Sequence, residues 1–287
     1  MPTLKRFAQH WLRCEATLGT IVNSARLTPA DIVLEIGGGT GNLTRRLLPL
    51  VKGLVVVEID RRLCQKLPQQ FPDPKFHLVE GDILKISFTD LPLRPNKVVA
   101  NIPYNITGPI LEKLLGTIAQ PQQVWQTIVL LVQKEIALRL TAQPHDKHKA
   151  YGALSVKVQY LADCEYICTV PPTAFYPAPQ VDSAVVRLTP RPPQPPAQHP
   201  RLLQQIVHLG FSQRRKMLHN NLASLVQRDI LTGILRSLGI NPQVRAEELS
   251  LQEWIALSDR LHEQSGTLPS ISHNNLANTE QGPQNST

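Results

Sequence analysis

Four cysteines in 287 residues, none of them in a C-x-x-C pair, leave little room for sulfur chemistry. They stand at Cys14, Cys64, Cys164 and Cys168. A chain of this length buries a core without disulfide staples, so free thiols are expected and a zinc site is not. The nine histidines show no metal-ligand spacing. No apolar run approaches the ~18 residues of a membrane span. The longest, Thr127-Ile128-Val129-Leu130-Leu131-Val132, has strand length. The opening residues, Met1-Pro2-Thr3-Leu4-Lys5-Arg6-Phe7, lack a basic-then-apolar leader pattern, and cytoplasmic residence is the expectation. Acids are in deficit: 30 Lys and Arg against 22 Asp and Glu give a net charge of +8. That excess fits a polyanionic partner, nucleic acid first, or a basic surface kept for solubility. There is no internal repeat.

What the chain does contain is an alternation of strands and helices. Residues 31–36 form a short β-rich run that ends in glycines, and residues 42–50 follow as a helix carrying Leu43, Leu47 and Leu48. Further strands are expected at 54–60, 76–82, 97–101 and 125–133, with helices at 61–70 and from 134 onward. Such alternation predicts a mostly parallel sheet covered on both faces, with ligands beyond the carboxyl ends of the strands. Residues 155–168 and 183–189 read as late strands around a proline-stiffened loop. The expected domains are residues 1–190, a proline-rich linker at 191–200, a helical unit at 201–264 and a disordered tail at 265–287. In the helical unit Leu203, Val207, Gly210 and Phe211 share a face, and Gly239 closes a helix. Phe211-Ser212-Gln213-Arg214-Arg215-Lys216-Met217-Leu218 reads as a helix with three cations: a phosphate-gripping surface or a solvated face. Lys5-Arg6 and Lys147-His148-Lys149 could extend it.

Polar signals collect at strand ends. Glu35-Ile36-Gly37-Gly38-Gly39-Thr40-Gly41 is a strand-to-helix turn that lets backbone approach a ligand. It is neither a Walker loop, since no Gly-Lys pair follows, nor a full dinucleotide fingerprint, since Asn42 stands where a third glycine is needed. Glu35 would repel a pyrophosphate and suits a ligand bearing an ammonium and a sulfonium. Glu58 ends the second strand, where a carboxylate can take ribose hydroxyls, and Asp82 could accept from an adenine amine. Asn101-Ile102-Pro103-Tyr104 carries the most information. An exocyclic amine on an aromatic base is a poor nucleophile, and the Asn101 side-chain oxygen with the Ile102 carbonyl could accept its N–H hydrogens. Pro103 stiffens the turn, and Tyr104 offers a ring on which a base stacks. No cysteine lies on this turn, which excludes the covalent route to a methylated pyrimidine carbon.

These motifs, in this order, resemble one family. With Val57-Glu58-Ile59-Asp60, Gly81-Asp82-Ile83, Val170-Pro171-Pro172-Thr173-Ala174-Phe175 and Phe211-Ser212-Gln213-Arg214-Arg215-Lys216, the chain is similar to the small-subunit ribosomal RNA adenine N6,N6-dimethyltransferases as far as about Gln264. The resemblance implies an α/β fold: a Rossmann-like S-adenosylmethionine-dependent methyltransferase domain with a small all-α C-terminal domain. It implies S-adenosylmethionine as methyl donor without a metal, and two adjacent adenosines in the 3′-terminal hairpin loop of 16S rRNA as targets, each methylated twice. The immature small ribosomal subunit is the expected partner, and a monomer the expected state. By position, the resemblance assigns cofactor contacts to His10, Leu12, Gly37, Glu58, Asp82 and Asn101. Asn101 also binds the target amine, while Tyr104 and Phe175 stack on opposite faces of the flipped base. The N-terminal stretch departs from the family pattern: Ala8 replaces glycine, His10 asparagine and Trp11 phenylalanine. Rival readings are a large-subunit rRNA adenine methyltransferase of the macrolide-resistance type, a non-catalytic RNA-binding assembly factor and, more distantly, a nucleotide-dependent oxidoreductase.

Overall fold

The computed structural model describes residues 10–146 and 150–265. Lys5-Arg6, Ala8, Lys147-His148-Lys149 and the tail from 266 lie outside the described residues. The chain divides into two compact units, Met1–Gln194 and Pro195–Thr287.

The first unit runs β1 (Trp11–Leu12), α1 (Glu15–Ser24), β2 (Ile32–Ile36), α2 (Thr44–Leu47), β3 (Gly53–Glu58), α3 (Arg61–Cys64), α4 (Leu67–Gln70) and β4 (Phe76–Glu80). It continues with β5 (Lys97–Asn101), α5 (Thr107–Leu115), β6 (Thr127–Gln133), α6 (Lys134–Thr141), α7 (Ala153–Leu161), β7 (Ala162–Val170), β8 (Phe175–Tyr176) and β9 (Ser183–Pro190). Seven strands form one sheet in the order β4-β3-β2-β5-β6-β9-β7. The pairs from β4 to β6 are parallel, and β9 runs antiparallel to both β6 and β7. β3 is buried along its whole length, and residues 128–132 of β6 are buried too, as expected of strands covered on both faces. β1 and β8 make a separate antiparallel pair.

The chain leaves β2 toward β3 and β4, then returns to β5 on the other side of β2. This reversal opens a crevice at the carboxyl ends of β2 and β5, where ligands of doubly wound sheets sit. The glycine turn follows β2, and Asn101 is the last residue of β5.

Three expected elements of the first unit need correction. Residues 155–168 are not one strand: Ala153–Leu161 is α7, and β7 begins at Ala162. The alternation Val156-Lys157-Val158-Gln159-Tyr160 imitates a strand. A helix forms instead because Ser155 Oγ accepts from the Gly152 N–H (3.0 Å) and donates to the Arg139 carbonyl (2.6 Å), closing the first turn against α6. The expected helix at 42–50 is shorter, passing into a 3₁₀ turn at Leu48–Leu50 around Pro49. Likewise the helix at 61–70 breaks into α3 and α4 ahead of Pro68. Helices α1 and α5 and the small β1–β8 pair were not among the expected elements.

The second unit is helical: α8 (Pro200–Gly210), α9 (Leu218–Asn221), α10 (Arg228–Ser237) and α11 (Leu251–Ser265). Leu203, Val207, Leu218, Leu222 and Trp254 are buried in it. A Cβ on Gly210 would come within 2.5 Å of the Trp254 ring, so only glycine lets α8 approach α11 this closely. Residues 211–217 are not helical. The Asn221 side-chain amide donates to the Gly210 and Gln213 carbonyls (2.5 and 3.1 Å) and turns the chain there. Arg215 and Lys216 are exposed on this turn, and Arg214 pairs with Glu247 (2.8 Å). Gly239 (φ 72°) ends α10 as expected. Among the described residues no helix is long and apolar enough to cross a membrane.

Candidate active site

Gly37 leaves β2 with φ 79°, a left-handed conformation open to glycine, and donates its N–H to the Val57 carbonyl (2.8 Å). At the far end of the turn a Cβ on Gly41 would meet the Phe71 ring at 2.6 Å. The turn is thereby pressed onto the helices after β3. Glu58 closes it from the side. Its Oε2 accepts from the Gly39 N–H and its Oε1 from the Asp60 N–H, each at 2.9 Å. Burial raises the Glu58 pKa, and these N–H bonds oppose the rise. Asp82 follows β4, with Oδ1 accepting from the Leu84 N–H (3.0 Å).

Beneath the turn lies Glu35, 1% exposed. Thr44 Oγ1 donates to its Oε2 (2.7 Å), while Oε1 is buried without a partner. Burial first, then the charge of Glu58, push this carboxyl up to about 8.

At the end of β5 the Asn101 Nδ2 donates to the His10 carbonyl (3.1 Å). That bond fixes the amide orientation and leaves Oδ1 to accept from a ligand. Pro103 (φ −62°, ψ 135°) holds the turn extended. The Tyr104 hydroxyl bonds to Ser183 Oγ (2.6 Å), which is fully buried. Burial raises the Tyr104 pKa, and the Ser183 bond opposes it. The His10 ring lies nearly parallel to the Tyr104 ring, with centroids 5.8 Å apart and planes at 18°. His10 Nδ1 meets the Pro177 carbonyl at 2.8 Å. A carbonyl only accepts, so Nδ1 carries the hydrogen. The two turns are neighbours, since a Cβ on Gly37 would sit 3.8 Å from the Asn101 carbonyl oxygen.

All of this surrounds one cavity of about 130 Å³. Of the eight residues singled out from the sequence, His10, Leu12, Gly37, Glu58, Asp82, Asn101 and Tyr104 line it. Phe175 does not. It is 5% exposed, pairs with Leu12 across the β1–β8 ladder and belongs to the hydrophobic core.

Comparison with known proteins gives the family. The ribosomal RNA adenine dimethylase model matches residues 3–263. The chain belongs to that family. It is 60% identical over 265 residues to the ribosomal RNA small subunit methyltransferase A of Rippkaea orientalis (strain PCC 8801 / RF-1), covering 90% of this chain and 97% of the relative. Its identity to the protein of the same description from Nostoc punctiforme is 55% over 279 residues, covering 91% and 96%. Among solved structures it is similar to a dimethyladenosine transferase from Plasmodium falciparum, at 27% identity and a TM-score of 0.75 over 89% of this chain and 98% of that one. It is also similar to the 23S rRNA methyltransferase ErmE, at 27% identity and a TM-score of 0.70 over 88% and 99%.

In this member of the dimethylase family, sequence reasoning missed two kinds of site residue. Ser183, which holds Tyr104, lies 79 positions downstream; its segment 181–186 matches the family, but nothing in it points to Tyr104. The apolar wall residues Ile36, Ile59, Leu63 and Ile106 read in sequence as ordinary core, whereas Ile83, expected beside Asp82 at the adenine, lines the cavity with them. The signal that could have found part of it is placement: Ile36 and Ile59 stand at or just beyond the carboxyl ends of β2 and β3.

Glu35 supports a prediction about stability. Its native carboxyl keeps its proton to about pH 8, whereas the unfolded chain loses it near 4.5. Between those values the native state holds one proton more, so rising pH lowers stability. Glu35→Gln keeps the Thr44 bond and removes the titration. In the donor-free protein, the fall in Tm between pH 5 and pH 8 should therefore be shallower for Glu35→Gln than for wild type. Parallel calorimetric curves for the two proteins would refute the assignment.

Proposed function

We propose that the protein transfers methyl groups from S-adenosylmethionine to the N6 amines of two adjacent adenosines in the 3′-terminal hairpin loop of 16S rRNA, dimethylating each during assembly of the small subunit. The observation that carries this reading is the Asn101 side chain, whose Oδ1 is left available in the same cavity as the glycine turn, Glu35 and Glu58. The residues fit the donor. The unpaired Glu35 Oε1 suits its ammonium end. Glu58 suits its ribose hydroxyls, because each engaged oxygen keeps a second lone pair. Asp82 suits the adenine amine, with Ile59 and Ile83 as apolar walls. His10, Leu12 and Gly37 complete the cradle. When bound, the donor supplies a methyl group on a positively charged sulfur, open to in-line displacement.

In the first transfer Asn101 Oδ1 accepts one N–H of the target amine and the Ile102 carbonyl the other; in the second, the single remaining N–H is accepted by one of these oxygens. These bonds draw the lone pair out of the aromatic ring toward the methyl group. Catalysis rests on positioning and on stabilising the charge that develops on nitrogen. Asn101 is neutral and takes no proton, so the surplus proton leaves to solvent. Tyr104, braced by Ser183, stacks on the flipped base. Phe175 backs the site from the core, and a direct stacking role for it requires it to move. Residues 1–190 carry this chemistry, 191–200 link, and 201–264 offer phosphate contacts from Arg215 and Lys216. The protein acts as a monomer in the cytoplasm.

The test is mass spectrometry of rRNA fragments after incubation of unmodified small subunits with protein and donor. Two added methyl groups on each of two neighbouring adenosines near the 3′ end of 16S rRNA are expected. Methylation of large-subunit RNA instead would overturn the substrate assignment.

A further inference from the structure

Five large apolar side chains stand exposed among the described residues of the first unit: Leu50, Ile59, Val124, Tyr176 and Val181. Two of them, Ile59 and Tyr176, stand at the cavity. Ile59 lines it. Tyr176, 55% exposed, pairs across the β1–β8 ladder with Trp11, another lining residue. Exposed apolar surface gathered at the mouth of a cavity marks a contact site more often than chance exposure does.

The Tyr176 ring is also the only one of these with a cation on it. The Arg13 guanidinium carbon lies 4.2 Å from the ring centroid. Among the described residues Arg13 is exposed and has no acidic partner. The backbone beneath is braced: the Arg13 N–H donates to the Ala174 carbonyl (2.8 Å), and the Pro177 carbonyl holds His10. Pro177 and Pro179 limit how far the rim can move. A preorganised ring with an uncompensated guanidinium at its face suits a nucleobase attached to a phosphate. It suits an acidic protein surface less, since that would use the cation and leave the ring idle.

Flipping a target adenosine leaves the next base without its stacking neighbour. We propose that Tyr176 and Arg13 form a second nucleotide site, at which the unpaired base beside the target adenosine stacks on Tyr176 while Arg13 meets its phosphate. This rests on the reading of the protein as an RNA methyltransferase. The site is tolerant of base identity, because every base has a π-face.

The test compares Tyr176→Ala, Tyr176→Trp, Arg13→Met and, as control, Val124→Ala. Val124 precedes the amino end of β6, away from the cavity mouth. RNA affinity is read by fluorescence anisotropy on a protein-free 3′-terminal 16S rRNA fragment, and KM and kcat on small subunits. Donor affinity, read by calorimetry, checks the fold. Tyr176→Ala should weaken RNA binding and raise KM about tenfold, with a much smaller change in kcat, and Tyr176→Trp should restore both to within about twofold. Arg13→Met should lower the slope of log affinity against log salt by about one. Val124→Ala should match wild type. If Tyr176→Ala loses donor binding, Tyr176→Trp and Arg13→Met decide. Equal RNA affinity for wild type and Tyr176→Ala overturns the second site and leaves the methyltransferase reading standing. A defect on subunits with none on the protein-free fragment overturns it too, because the partner is then a ribosomal protein. A wild-type protein that methylates no RNA fails the earlier reading, while the anisotropy comparison still decides this one.

Discussion

Asn101→Ala is expected to lower the rate of methyl transfer by about 10²–10³-fold, the scale seen when one preorganised hydrogen-bonding group is removed from a developing charge. The bound amine would lose its side-chain acceptor and keep only the Ile102 carbonyl. Its lone pair would then stay in conjugation with the ring. RNA affinity should change only a few-fold, because Tyr104 and the basic surfaces persist. Donor affinity should also fall modestly, because Asn101 Nδ2 ties the His10 carbonyl into the cavity wall. Asn101→Asp separates these two roles. It keeps an acceptor but places an oxygen against the His10 carbonyl in place of the Nδ2 donor, and repulsion would push that wall away. Single-turnover methylation with both ligands saturating isolates the chemical step. If Asn101→Ala turns over at the normal rate, the proposed role of the side-chain oxygen is wrong.

That prediction concerns a residue plainly legible in the sequence, and the reason is local. The strand Lys97–Asn101, the proline after it and the glycine turn after β2 are short-range features, fixed by β propensity and by the conformations that Gly and Pro permit. Their meeting in space follows from one topological fact, the reversal between β4 and β5. Less legible was whatever depended on a distant partner. Residues 153–161 alternate like a strand, and the helix start is held by Ser155 Oγ, which accepts from the Gly152 N–H and donates to the Arg139 carbonyl, sixteen positions before it. Residues 211–217 have a helical composition, and the Asn221 side chain unwinds them. Phe175 lies in a segment that matches its family, yet the β1–β8 ladder turns it into the core. The exposed Tyr176 next to it carried no signal, because its place at the cavity mouth is set by pairing with Trp11. Local chemistry could thus be read in the sequence, whereas side-chain facing across non-local pairs required the fold.

Lys97→Met should cost about 3–5 kcal/mol of unfolding free energy while leaving donor affinity unchanged. Lys97 and Asp31 form a buried pair (2.9 Å), with side chains 8% and 6% exposed. They sit near the amino ends of β5 and β2, at the other end of these strands from the cavity. Lys97 Nζ also donates to the Arg26 carbonyl (2.6 Å), and Arg26 itself holds a left-handed φ of 47°. Asp31 accepts from the Thr28 N–H and hydroxyl and from Asn96 Nδ2, at 2.7, 3.0 and 2.7 Å. Burial pushes its carboxyl up, but the bonds from Asn96, Lys97 and Thr28 outweigh it and hold the pKa at about 2. Its stabilising contribution is therefore complete above the unfolded value of 3.8 and is lost as pH falls toward 2. Removing Lys97 strands a buried carboxylate that still needs its other donors, so the penalty comes from the group left behind. Removing both partners, as Asp31→Leu with Lys97→Met, should therefore cost less than Lys97→Met alone. Urea denaturation at pH 7 measures both. A Lys97→Met midpoint equal to wild type would show that water reaches this pair and that the sheet does not depend on it.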